Sequence, residues 1–132
     1  MGYSVYKDKV RYSEVDKMGR VYNSHYLTWF ELGRTDYFKK KSLNYAQIED
    51  ERGLFLPVRE SYIKYKYPLL YDEDYLVFTK CKIIDKYRIK FDYSIKNSQN
   101  KLSTIGYTFH VFIDKSGRII EVPDFFVKAM ES

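Results

Sequence analysis

Hydrophobic and polar positions fall into two regimes along this chain. From Pro57 onward they alternate in long runs broken by polar turns, whereas nearer the start one stretch has helical spacing instead. Over 87–96, Tyr87, Ile89, Phe91, Tyr93 and Ile95 alternate with Arg88, Lys90, Asp92, Ser94 and Lys96, the period of a strand with one face packed and the other wet. Residues 58–67, closed by Pro68 and the acidic residues Asp72, Glu73 and Asp74, predict an earlier strand, and 75–86 predict another. A hairpin turn at 97–101 leads into a strand over 102–114. Asp114, Lys115, Ser116 and Gly117 then turn the chain into a last strand at 118–122. Residues 3–12 carry the β-branched and aromatic types of a first strand, with imperfect alternation. Pro123 opens a short C-terminal helix, since proline is tolerated in a first turn.

Tyr26, Trp29, Phe30, Gly33 and Tyr37 recur at three- and four-residue spacing and predict one apolar face of a helix over 23–41. Asn23 is the expected N-cap, and Lys39, Lys40 and Lys41 bring positive charge to the carbonyl end. A glycine inside a helix costs about 1 kcal/mol against alanine. Gly33, within the apolar stripe, therefore predicts the close approach of another element. Glu31 and Arg34, three residues apart, predict an ion pair on the helix surface. The order strand, long helix, then four or more antiparallel strands is an α+β pattern in which one sheet covers one helix.

Composition adds bounds. With 132 residues and 45% hydrophobic content, the chain is expected to form one domain, 1–132, with a core that needs no metal or disulfide staple. Cys81 has no second cysteine to bridge to, and the first residues hold no apolar stretch of signal-peptide or membrane-span length. A reducing cytoplasm and no membrane partner are the expectation. The net charge of +5 mildly favours an anionic partner.

The junction between the first strand and the helix is where chemistry is expected, because the first amides of a helix are unpaired and present positive charge. Asp16, Lys17, Met18 and Gly19 have the aspartate-first, glycine-fourth pattern of a turn, so Asp16 on its own reads as a turn former as well as a candidate carboxylate. The pattern extends through Val21, Asn23 and Tyr26 as D-x-x-G-x-V-x-N-x-x-Y, followed by Trp29, Phe30, Glu31, Arg34 and Thr35. Gly53, Leu54, Phe55, Leu56, Pro57 and Val58 continue it, then Tyr65, Pro68 and Asp72.

Across nearly its whole length the chain resembles the hotdog acyl-CoA thioesterases, the 4-hydroxybenzoyl-CoA thioesterase-like branch in particular. The resemblance implies a hotdog fold, a long central helix wrapped by a five- to six-stranded antiparallel sheet. It implies Asp16 as the catalytic carboxylate, acting as nucleophile through a mixed anhydride or as general base for water. It further implies a carbonyl-polarising helix N-terminal amide at Asn23. Gly19, Tyr22 and Tyr26 would border the substrate, joined by Val58 and Arg59 from a partner subunit. Lys86, Arg88 and Lys90 would hold the nucleotide end of CoA. The substrate would be an acyl-CoA, with an acyl carrier protein as the other thioester source, in a homodimer or homotetramer whose sheets join. Departures from the family pattern are Glu14 as a second acid before Asp16, Asn23 where some members have histidine, and Arg20 at a commonly apolar or histidine position.

Other readings stand beside this one. Tyrosines alternating with lysines suit a nucleic-acid-binding sheet, but that leaves Asp16 and Gly19 before the helix unexplained and the charges form no dense run, so no nucleic-acid partner is expected. A non-catalytic hotdog protein that binds an acyl carrier or another protein is the alternative, since fold does not dictate activity. His25, in the first helical turn, is placed to face the site but is expected to be a packed or solvated residue, and His110, in a late strand, is expected to be structural. No zinc spacing, P-loop, dinucleotide fingerprint or serine elbow occurs, so no metal or organic cofactor is implied.

Overall fold

The sheet is antiparallel throughout and its spatial order differs from its chain order. The computed structural model describes residues 2–131, so the ends of the expected domain, 1 and 132, lie outside the described residues. The strands are β1 (Ser4–Lys9), β2 (Val58–Tyr65), β3 (Asp74–Ile83), β4 (Arg88–Asn97), β5 (Leu102–Ile113) and β6 (Ile119–Ile120). The order across the sheet is β1-β3-β4-β5-β2, with β6 pairing the end of β5. The helices are α1 (Ser24–Lys40), α2 (Tyr45–Arg52) and α3 (Asp124–Glu131). This is the expected hotdog architecture, a long helix held in the curve of a six-stranded sheet.

The pattern of β4 is realised from Ile89 on: Ile89, Phe91, Tyr93, Ile95 and Asn97 turn inward and the intervening residues outward, whereas Tyr87, expected on the packed face, precedes the strand and is exposed. They meet the apolar stripe of α1. Trp29 stacks on Tyr75 at 4.0 Å between ring centroids and Phe30 on Tyr93 at 4.2 Å, and all four are buried. The close approach predicted at Gly33 is present, for a Cβ there would lie 2.5 Å from Thr79 Oγ1 and 2.8 Å from Val77 Cγ1. At the other end of α1, Lys40 pairs with Asp36 at 2.8 Å and donates to Val5 O at 2.9 Å.

Three further features depart from expectation. Arg34 makes no ion pair with Glu31. It is buried, and its Nη1 donates to Tyr93 Oη at 2.9 Å, because position 34 follows Gly33 on the inward side of α1. Asn23 does not cap α1 with its side chain. Its backbone is already helical (φ −57°, ψ −32°), whereas a cap needs an extended backbone to fold the side chain over the first amides. The first turn starts a residue earlier, where the His25 amide donates to Tyr22 O at 3.0 Å. Finally, α2 was not predicted, since its sequence carries one buried apolar residue, Ile48.

A polar chain crosses the core beneath Arg34. Leu56 O lies 3.2 Å from His110 Nδ1, His110 Nε2 lies 2.7 Å from Thr108 Oγ1, and Thr108 Oγ1 lies 2.7 Å from Tyr93 Oη. A carbonyl only accepts, so His110 Nδ1 donates to Leu56, Thr108 donates to Nε2, and Tyr93 donates to Thr108 while accepting from Arg34. Every link is satisfied with His110 neutral. Burial first, and then the Arg34 charge, lower its pKa to about 4. His110 is structural, as expected.

Candidate active site

Asp16 stands at the tip of a short hairpin that leads into α1. A 3-10 turn at Tyr12–Glu14 precedes it, Val15 pairs with Val21, and the Asp16 amide donates to Arg20 O at 2.8 Å. Gly19 closes the tip, its amide donating to Asp16 O at 3.0 Å from a backbone at φ +78°, which glycine adopts without steric cost. Two sets of bonds clamp the hairpin. Val21 N donates to Leu69 O at 2.9 Å and Tyr71 N to Gly19 O at 3.1 Å, tying it to the segment after β2. On the inner side, buried Glu14 accepts from the Arg11 amide at 2.8 Å and from Trp29 Nε1 at 2.9 Å, tying it to α1.

The clamps leave Asp16 exposed with its carboxylate oriented. Oδ1 accepts from the amides of Met18 at 2.8 Å and Arg20 at 3.2 Å. Among the described residues Oδ2 has no hydrogen-bond partner. The residue is thus the turn former that its spacing predicts, and one carboxylate oxygen remains open to a substrate or a water.

Asp16 shares a cleft of about 320 Å³ with Arg20, Val21, Asn23, Tyr26, Tyr65, Lys66, Tyr67 and Pro68. Asn23 lies at the helix N-terminus, and its amide and that of Ser24 have no backbone partner among the described residues, while the next two amides already donate within the first turn. Tyr65 Oη donates to Asn23 O at 3.3 Å, joining the end of β2 to the start of α1. Tyr26 is buried, accepts from the Leu69 amide at 3.2 Å, and meets Tyr65 edge-on at 5.4 Å between ring centroids. Gly19 borders a neighbouring cleft on the other side of Asp16, with Tyr12, Val15, Lys17 and Tyr71. Tyr22 is 57% exposed and borders neither, and His25 does not line the Asp16 cleft.

The remaining predicted residues lie at the far end of β2. Arg59 and Arg88 come together in a groove of about 580 Å³ with Glu60, Tyr87, Phe109, Val111 and Ile119. Lys86 is turned away toward Glu121 at 3.8 Å. Lys90 is held by Asp92 at 3.3 Å and lies over the Tyr107 ring at 4.6 Å, so neither lysine lines the groove. Val58 is exposed on the edge strand. Phe109, Lys66 and Tyr67 were not singled out in the sequence as bordering a site. The run Tyr65, Lys66, Tyr67, Pro68 held the signal, as a strand end that must pass beside the helix N-terminus.

The family model for the thioesterase-like superfamily matches residues 10–130. The chain belongs to this superfamily. Its relatives within and near the thioesterase-like group include YneP of Bacillus subtilis (strain 168), provisionally named an acyl-CoA thioesterase. That protein is 36% identical over 107 residues, which span 81% of this chain and 77% of YneP. Among solved structures, the DHNA-CoA thioesterase of Staphylococcus aureus is 33% identical with a TM-score of 0.90, covering 99% of this chain and 88% of that one. The 1,4-dihydroxy-2-naphthoyl-CoA thioesterase of Synechocystis has a TM-score of 0.92 at 20% identity, covering 99% of this chain and 97% of that one, and shares the fold. Among the described residues, no helix is long and apolar enough to cross a membrane.

Proposed function

We propose that this protein hydrolyses acyl-CoA thioesters in the cleft between Asp16 and the start of α1. The observation that carries the proposal is the Asp16 carboxylate itself: one oxygen is fixed by two amides, the other is clear, and Asn23 lines the same cleft. A thioester carbonyl seated there would meet the free oxygen on one side and the first helix amides on the other. Asp16 either attacks the carbonyl carbon, expelling CoA thiolate and leaving a mixed anhydride that water opens, or takes a proton from the water that attacks. In both routes the products are the free acid and CoA. The amide of Asn23 would donate to the carbonyl oxygen as negative charge develops there, an effect worth about 3 kcal/mol for a well-placed donor.

The Arg59 and Arg88 groove suits the phosphates of CoA, since guanidinium forks pair with phosphate oxygens. Along one chain it lies about 23 Å from the Asp16 cleft, the length of β2 at about 3.3 Å per residue. A homodimer brings the two together. Among the described residues the outer edge of β2 is unpaired, and a two-fold pairing of two such edges about Ser61 and Tyr62 sets the partner's Val58 and the partner's Arg59 beside Tyr65 and Lys64. Short-chain, medium-chain and aryl acyl-CoAs supplied to the purified protein should release free thiol in step with free acid; release from none of them overturns the proposal.

A further inference from the structure

The Asp16 cleft holds more positive charge than its own carboxylate requires. Arg20 and Lys66 both line it, and among the described residues Asp16 is its sole acidic one. The ion pairs among the described residues involve neither cation. The Arg20 backbone is fixed at both ends, its amide on Asp16 Oδ1 and its carbonyl on the Asp16 amide, so the side chain is rooted beside the reacting carboxylate. A third cation, Lys101, lies 3.5 Å over the Tyr67 ring that forms one wall. Val21, Asn23, Tyr26, Tyr65 and Pro68 complete the lining. With the CoA phosphates assigned to the Arg59 and Arg88 groove as proposed above, these cations are left for the acyl end.

We infer that Arg20 is a specificity-determining residue that selects acyl groups bearing a carboxylate. This rests on the function proposed above. An acyl carboxylate seated near Asp16 would be repelled by it, and a guanidinium between them offsets that repulsion and forms charge-assisted hydrogen bonds to the incoming group. A neutral acyl group gains nothing from Arg20 and leaves it in water.

The test compares 4-carboxybenzoyl-CoA with 4-carbamoylbenzoyl-CoA, which has the same shape and no charge. The ratio of kcat/KM for the two is measured in the wild type, Arg20→Gln and Arg20→Lys, so that the intrinsic reactivity of each thioester cancels between enzymes. The ratio should fall about tenfold in Arg20→Gln and recover most of its value in Arg20→Lys, an effect that weakens as salt is raised. A ratio unchanged by Arg20→Gln, including an equal loss on both substrates, would overturn the inference and assign Arg20 to the CoA portion or to solvent. If the wild type leaves both thioesters intact, the proposed function is decided separately by the wider acyl-CoA panel. The ratio of Kd for the same two intact thioesters then decides the role of Arg20 by the same criterion.

Discussion

Glu14→Gln separates the clamp that holds the Asp16 hairpin from everything else about the site. In the folded protein the two carboxylate oxygens accept from two different donors, the Arg11 amide and Trp29 Nε1, and the residue is buried. Glutamine keeps the size and one acceptor but turns the other oxygen into an N–H donor, which then faces a donor. Trp29 is fully buried and cannot reach water, so the remaining oxygen serves it and the Arg11 amide is left without its partner. Hydrogen bonds to a charged group are worth about 1.5–3 kcal/mol, so Glu14→Gln should cost about 2 kcal/mol. Glu14→Ala, which also leaves Trp29 Nε1 unpaired in the core, should cost about 3 kcal/mol. Trp29 is the single tryptophan, so its fluorescence reports urea unfolding of both variants. In a Trp29→Phe background, followed by circular dichroism, the Glu14→Gln cost should drop by about 1 kcal/mol, the coupling of a buried contact pair. A Glu14→Gln protein within about 0.5 kcal/mol of the wild type, or one with the same cost in both backgrounds, would refute the clamp.

Further predictions follow from the core and the groove. Gly33→Ala should destabilise by about 1 kcal/mol, because overpacking against Thr79 and Val77 at about 1–3 kcal/mol exceeds the helix-propensity gain of about 1 kcal/mol; thermal unfolding that shows a gain would remove the close contact. His110 should make stability fall as pH drops from about 6.5 to about 4. Its folded pKa lies below the unfolded value, so the unfolded chain binds the extra proton in that window. The effect amounts to about 3 kcal/mol at most, and His110→Gln should flatten that part of the urea-midpoint profile. Arg88→Ala should raise KM for acyl-CoA about tenfold with kcat within about twofold, the pattern of lost uniform binding; an unchanged KM would take the CoA phosphates out of that groove.

The elements that were legible in advance are those whose burial follows a single period. The α1 stripe and the alternation of β4 each face one core, so their apolar residues mark their inner faces directly. The second helix escaped because Tyr45–Arg52 is mostly polar. Its ends were the usable signal, with Asn44 accepting from the Gln47 amide and Gly53 closing the helix at φ +65°. Arg34 escaped for the opposite reason. A guanidinium at the core depends on Tyr93, fifty-nine positions away, and no local pattern announces that partner. At the site, the turn at Asp16 and the glycine at its tip were readable because turn chemistry is local. The cleft walls were not, because Tyr65, Lys66 and Tyr67 reach Asn23 only through the sheet order that places β2 at the edge. Asn23 shows the limit of reading residue type alone: a good capping residue stands there, and the turn begins before it can cap.

Asp16→Asn tests the central claim most directly. Asparagine retains the Oδ1 that accepts from the Met18 and Arg20 amides, so the hairpin should keep its shape while the free oxygen becomes an amide nitrogen that neither attacks nor takes a proton. With an acyl-CoA that the wild type turns over, single-turnover hydrolysis should fall at least about a hundredfold, the lower range for losing a positioned acid–base group. Urea stability and Kd for the intact thioester should stay close to wild type. Hydrolysis at an equal rate in the folded variant would contradict the assignment of the chemistry to Asp16.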